Sequence, residues 1–108
     1  MPEKIPSPEF TEEEQKLIEA LWKGEPGSEE SFATLVKEGE DKVEVDNARG
    51  KAELYLHVAK LCKAAGAWRI AWDYLESVCM IAGNTNEQDL FDAAVALKDQ
   101  IEAEGESR

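Results

Sequence analysis

Histidine occurs once in the 108 residues and cysteine twice, with no CxxC pair, so the ligand sets that a zinc site needs are missing. The seven glycines are scattered, and neither a glycine-rich phosphate loop nor an HExxH or GxSxG signature is present. No apolar run approaches the roughly 20 residues of a membrane span. The first residues, MPEKIPSPEF, lack the basic start and apolar stretch of a signal peptide. Basic residues are also scarce, 12 against 24 acidic ones for a net charge of −12, which argues against direct nucleic-acid binding through phosphates. Together these absences lead us to expect a cytoplasmic protein without membrane contact, metal, cofactor or catalytic centre.

What is present favours helix. Ala, Leu, Glu and Lys outnumber the β-branched residues and the apolar fraction is 43%, so an all-α fold is expected before any periodicity is read. A chain this short builds one core. A single helical domain is therefore expected over 10–105, with a flexible, proline-rich lead-in over 1–9 and a frayed end over 106–108. The charge is uneven. Residues 1–47 hold 14 acids and 5 bases, a balance of −9; residues 48–83 hold 3 and 5, a balance of +2; residues 84–108 hold 7 and 2, a balance of −5.

The patterning predicts a small bundle of about five helices around a central antiparallel helical hairpin. Its most apolar stretch is 67–83. Trp68, Trp72, Leu75, Cys79 and Ala82 make one stripe, Ile70, Tyr74 and Ile81 a second, and Ala71 and Val78 fill the angle between them. A helix so apolar should lie inside, coated by the rest of the chain. Its partner runs over 48–65, capped by Asp46 or Asn47, with Ala48, Ala52, Tyr55, Ala59 and Cys62 facing inward. Gly66 supplies the turn, and helices joined so tightly must lie antiparallel.

Before the hairpin, Thr11 and Glu14 form a capping box for a helix that ends near Lys23 and buries Leu17, Ile18, Leu21 and Trp22. Ser28 caps a short second helix with Phe32, Leu35 and Val36 on one stripe, which Gly39 should end; EDKVEVD then reads as a loop pinned by Val43 and Val45. After a helix end at Gly83, Thr85 and Gln88 form a second capping box. It opens a fifth helix, with Leu90, Ala94, Leu97 and Ile101 at heptad spacing, that ends near Gly105.

Cys62 and Cys79 lie on apolar stripes at unequal distances from the Gly66 turn, so the hairpin does not bring them together, and both are expected as buried free thiols. His57 is offset from its helix's inward stripe, with no nucleophile or carboxylate spaced to work with it, and reads as structural. Asp73 with Glu76, and Asp89 with Asp92, are three apart, as solvated helix faces commonly place them.

Over 51–84 the hairpin resembles one degenerate tetratricopeptide repeat. Tyr55 stands where that family has tryptophan, Val58 and Ala59 stand for Leu-Gly, Cys62 for tyrosine, Ala71 for alanine and Leu75 for phenylalanine, at the family's spacings. Ala71 alone keeps the consensus letter, and Gly83 replaces the closing proline. The resemblance implies protein binding in a groove between helices, gives the fifth helix the part of the solvating helix that covers a last repeat, and carries over no catalytic residue.

Two functions follow as expectations. In the first, the chain is an adaptor or small subunit offering a groove lined by Tyr55, Trp68, Trp72 and Tyr74 to a partner protein, or to a second copy of itself as a homodimer. In the second, Glu38, Glu40, Asp41, Glu44 and Asp46 imitate a phosphate backbone and block a basic site on a nucleic-acid-binding protein.

Overall fold

The computed structural model describes residues 10–106, which form five α-helices and no strand. The lead-in expected over 1–9 and the frayed positions expected at 107–108 lie outside the described residues. Helix α1 (Glu12–Lys23) opens on the capping box: the Thr11 hydroxyl accepts from the Glu14 N–H at 3.1 Å, and Glu14 Oε1 accepts from the Thr11 N–H at 2.8 Å. Gly24, in the left-handed region at φ 68°, closes the helix.

Helix α2 (Ser28–Lys42) departs from the sequence-based expectation at both ends. Gly27 is its cap, and the Ser28 hydroxyl is buried and donates backward to the Glu25 carbonyl at 2.7 Å. Gly39 does not end it. A Cβ at that position would lie 2.7 Å from Leu54 Cδ1, so the glycine allows close approach of α2 to the next helix.

That helix, α3 (Ala48–Ala64), is capped by Asn47, whose Oδ1 accepts from the Gly50 N–H at 2.9 Å. Helix α4 (Trp68–Thr85) passes through Gly83 and ends at Asn86, left-handed at φ 58°. Thr85 is therefore a last-turn residue. Its hydroxyl donates to the Ile81 carbonyl at 2.9 Å, and the Gln88 amide donates to Asp92 Oδ1 at 2.8 Å, so the second capping box does not form. Helix α5 (Gln88–Glu106) completes the fold and takes in Glu106, expected to fray.

The helix against which every other one packs is α3, whereas α4 packs along α3 and α5. The core is built from Ala52, Val58, Ala59 and Cys62 on α3, Ala71, Leu75, Val78 and Ala82 on α4, and Leu90, Ala94, Leu97 and Ile101 on α5, with Val36 from α2. On α4 the buried line runs through the angle between the two apolar stripes. Ala59 and Ala71, both fully buried, supply the physical reason, because small residues where helices cross let the backbones close up and leave large rings at the edges. Trp68, Trp72, Tyr74 and Ile81 accordingly sit half-buried on the flanks, and Ile70 remains exposed.

Other apolar residues are also more open than expected: Ile18 and Leu21 of α1 are only half-buried, and two are exposed. Trp22 is 61% exposed and lies over the α3–α4 turn, where a Cβ on Gly66 would fall 2.5 Å from its ring. Val45 is 95% exposed, which leaves Val43 as the half-buried residue of that loop. Neither cysteine is in a disulfide; Cys62 is buried, Cys79 is half-buried, and burial pushes the Cys62 thiol up to about 12, away from reactivity.

Candidate partner-binding surfaces

The four aromatic residues singled out by the sequence fall into two pairs on different flanks of α4. Toward α5, Trp68 and Trp72 line an open hollow with Arg69, Asp73 and the buried Ile101. Lys98 of α5 holds its ammonium 4.6 Å from the centroid of the Trp72 ring, a cation–π contact. The result is an apolar wall with one acid and one further base at its rim.

Toward α2, the Tyr74 ring meets Tyr55 at 5.5 Å and Phe32 edge-on at 6.4 Å between centroids. The Tyr55 hydroxyl donates to Glu40 Oε2 at 2.6 Å, and that bond, followed by burial, pushes the phenol up to about 12. Burial likewise raises Tyr74. These contacts fasten α2 to the hairpin. Tyr55 and Tyr74 thus lie apart from the Trp68–Trp72 hollow.

The five acidic residues occupy the last turns of α2, with Glu38, Glu40 and Asp41, and the loop after it, with Glu44 and Asp46; all are exposed. Glu40 is engaged by Tyr55, whereas Glu38 points elsewhere. It borders a second hollow, between α1 and α2, together with Glu13, Leu17, Glu30, Thr34 and Leu35.

The remaining polar groups tie helices together. Arg49 at the start of α3 bonds Glu87, reaches both oxygens of Asp89 at 3.2 and 2.8 Å, and pairs with Glu53 at 3.5 Å. Asp89 first and Glu87 second raise the guanidinium, and Arg49 in turn holds Asp89 below the usual carboxylate range. Lys63 and Glu104, 2.8 Å apart, join α3 to α5. His57 Nε2 lies 2.8 Å from Glu14 Oε2, with the Phe10 ring 5.4 Å away, so this histidine anchors the start of α1 on α3. Burial pushes the Glu14 carboxyl up, but the Thr11 N–H and His57 outweigh it and hold the group below its ordinary value.

Among the described residues no three His, Cys, Asp or Glu side chains cluster to hold a metal, and no helix is long and apolar enough to cross a membrane. Sequence reasoning missed what α5 adds, Ile101 in the first hollow and Lys98 over the Trp72 ring, and missed the second hollow altogether. Its elements were visible as stripes: Glu13 lies four residues before Leu17, and Glu30, Thr34 and Glu38 follow one another at intervals of four beside Leu35. The docking of α1 on α2 was not encoded in either stripe alone. No family model, curated protein or solved structure matches this chain.

Proposed function

We propose that this chain is a small protein–protein interaction module, an adaptor or small subunit, that seats an apolar side chain of a partner protein between α4 and α5. The observation that carries the reading is the Trp68–Trp72 hollow, which two half-buried tryptophans line together with a buried isoleucine. Tryptophan supplies large contact area at small entropic cost and recurs at the energetic centres of interfaces. The full burial of Ala59, Ala71 and Leu75, and the packing of α5 along α4, support treating α3–α4 as a single tetratricopeptide-like hairpin with α5 as its cover.

The test is capture from lysate of the source organism by the tagged wild type and by Trp72→Ala, washed at low and at high salt, with circular dichroism on both proteins. A partner that wild type retains at high salt and Trp72→Ala loses at unchanged helix content is the expected result. Equal retention by both proteins would remove Trp72 from the interface. A basic nucleic-acid-binding partner, released by salt and indifferent to Trp72→Ala, would instead favour the phosphate-mimic reading of Glu38, Glu40, Asp41, Glu44 and Asp46.

A further inference from the structure

The hollow between α1 and α2 has an apolar floor and a rim of one charge. Leu17 is 8% exposed and Leu35 half-buried, while Glu13, Glu30 and Glu38 stand exposed around them and, among the described residues, no basic side chain lines the space. None of the three carboxylates has an ion-pair partner among the described residues, in contrast to Glu14, Glu19, Glu53, Glu87, Asp89 and Glu104. Helix capping accounts for part of this charge, since Glu13 and Glu30 lie in first turns where the dipole favours them. It does not account for Glu38, two turns further along the same stripe of α2 as Glu30.

We infer that the α1–α2 groove is a second docking surface, one that takes a basic amphipathic segment of a partner protein, with an apolar residue on Leu17 and Leu35 and lysines or arginines against Glu13, Glu30 and Glu38. Charge complementarity selects this occupant over the alternatives. A second copy, packed through the same groove, would set three carboxylates against three, an arrangement that like-charge repulsion opposes. A nucleic acid would bring phosphates to the same rim. Rim charge of this kind raises the rate of encounter, and the leucine floor gives the contact a part that salt does not screen.

The inference rests on the interaction-module reading but not on the Trp68–Trp72 hollow, which belongs to α4 and α5. As α1 and α2 pack on each other and on α3, the two surfaces belong to different helix pairs around the same central helix. An adaptor needs such a separation if it is to hold two partners at once.

The probe is a fluorescein-labelled peptide of leucines and lysines at helical spacing, titrated with the full chain and read by anisotropy, beside a peptide with glutamate in place of each lysine. Saturable one-to-one binding of the lysine peptide alone is expected. Glu30→Lys with Glu38→Lys should weaken it about tenfold or more. Glu44→Lys with Asp46→Lys, an identical change of net charge outside the groove, should leave it within about threefold. Leu35→Ala should weaken what binding survives at high salt, and Glu30→Gln with Glu38→Gln gives the milder comparison if charge reversal disturbs the fold. Equal losses in the two charge-reversed proteins would reduce the effect to bulk charge and overturn the inference. So would equal binding of the glutamate peptide, no binding at all, or a self-association that Leu35→Ala abolishes. Trp72-dependent capture of a partner would survive any of these results, so the two readings fail separately.

Discussion

Glu14 is used three ways at once. It occupies the third position of α1, where the dipole favours its charge; one oxygen accepts from the Thr11 N–H; the other meets His57 of α3. The carboxyl is held below its ordinary value, so the unfolded chain binds the proton more readily than the folded one. The stabilisation is therefore complete above the unfolded carboxyl's range, near pH 4.3, and is lost as pH falls through the lower folded value. Glu14→Gln keeps the shape and removes the charge, and should cost about 1 kcal/mol at neutral pH, the difference between a charge-assisted and a neutral hydrogen bond. Urea midpoints of the two proteins should converge as the pH is lowered from about 4.3 through the folded carboxyl's lower value. A gap that stayed constant over that interval would show that the charge of Glu14 contributes nothing.

Glycines show at the scale of the helix what the sequence can and cannot say. Gly66 was legible as a turn because it must adopt φ 78°, and the backbone there makes the expected closing bond, Ala67 N–H to the Cys62 carbonyl at 2.8 Å. Gly39 and Gly83 looked like helix ends by the same local criterion, yet both lie inside helices. Gly39 is there for the closeness of Leu54, a tertiary fact with no local signature, while a Cβ at Gly83 would meet nothing within 4 Å. Gly83→Ala should therefore stabilise the protein by about 0.5–1 kcal/mol through helix propensity and lost unfolded-state entropy. Gly66→Ala should destabilise it by about 1–2 kcal/mol, because the left-handed backbone penalises a Cβ. That Cβ would also press on the Trp22 ring. Thermal melts should move in opposite directions, by about 4–8 °C per kcal/mol for a domain of this size. A fall in melting temperature with Gly83→Ala would contradict the open space at that position.

The same distinction governs what the sequence revealed about the candidate surfaces. Periodicity puts Trp68 and Trp72 on one stripe of α4 and Tyr74 on another, yet the sequence reading sets all three with Tyr55 in one groove, which the structure divides between two flanks. It could not choose which flank is covered, since Ala71 and Val78 mark the buried centre only once α3 closes on α4. The stripe of α1 puts Trp22 in the core, yet it is exposed, since α1 packs on α2 and α3 alone and neither covers the ring. Capping boxes were legible where Thr11 and Glu14 form one, and misleading at Thr85, which satisfies its hydroxyl within α4.

For the whole molecule, burial and charge are distributed in opposite senses. Leu17 and Val36 are the buried apolar residues of α1 and α2, whereas α3, α4 and α5 share the continuous core from Ala52 to Ile101. Residues 10–47 hold 12 acids and 4 bases, a balance of −8, against +2 over 48–83. Self-repulsion thus concentrates in the layer with the least apolar area to oppose it, and what fastens that layer is specific: Glu14 on His57, Tyr55 on Glu40, and Phe32 against Tyr74. Regions with few buried contacts open locally below the free energy of global unfolding. Amide exchange should accordingly be faster through α1 and α2 than through α3–α5, and raising salt from about 0.01 to 0.15 M, which shortens the screening length from about 30 to about 8 Å, should slow it selectively in α1 and α2. Uniform protection over all five helices would mean that the two layers unfold as one and that the uneven charge has no mechanical consequence. Slower exchange in α3–α5 but no response to salt would assign the weakness of α1 and α2 to sparse packing alone.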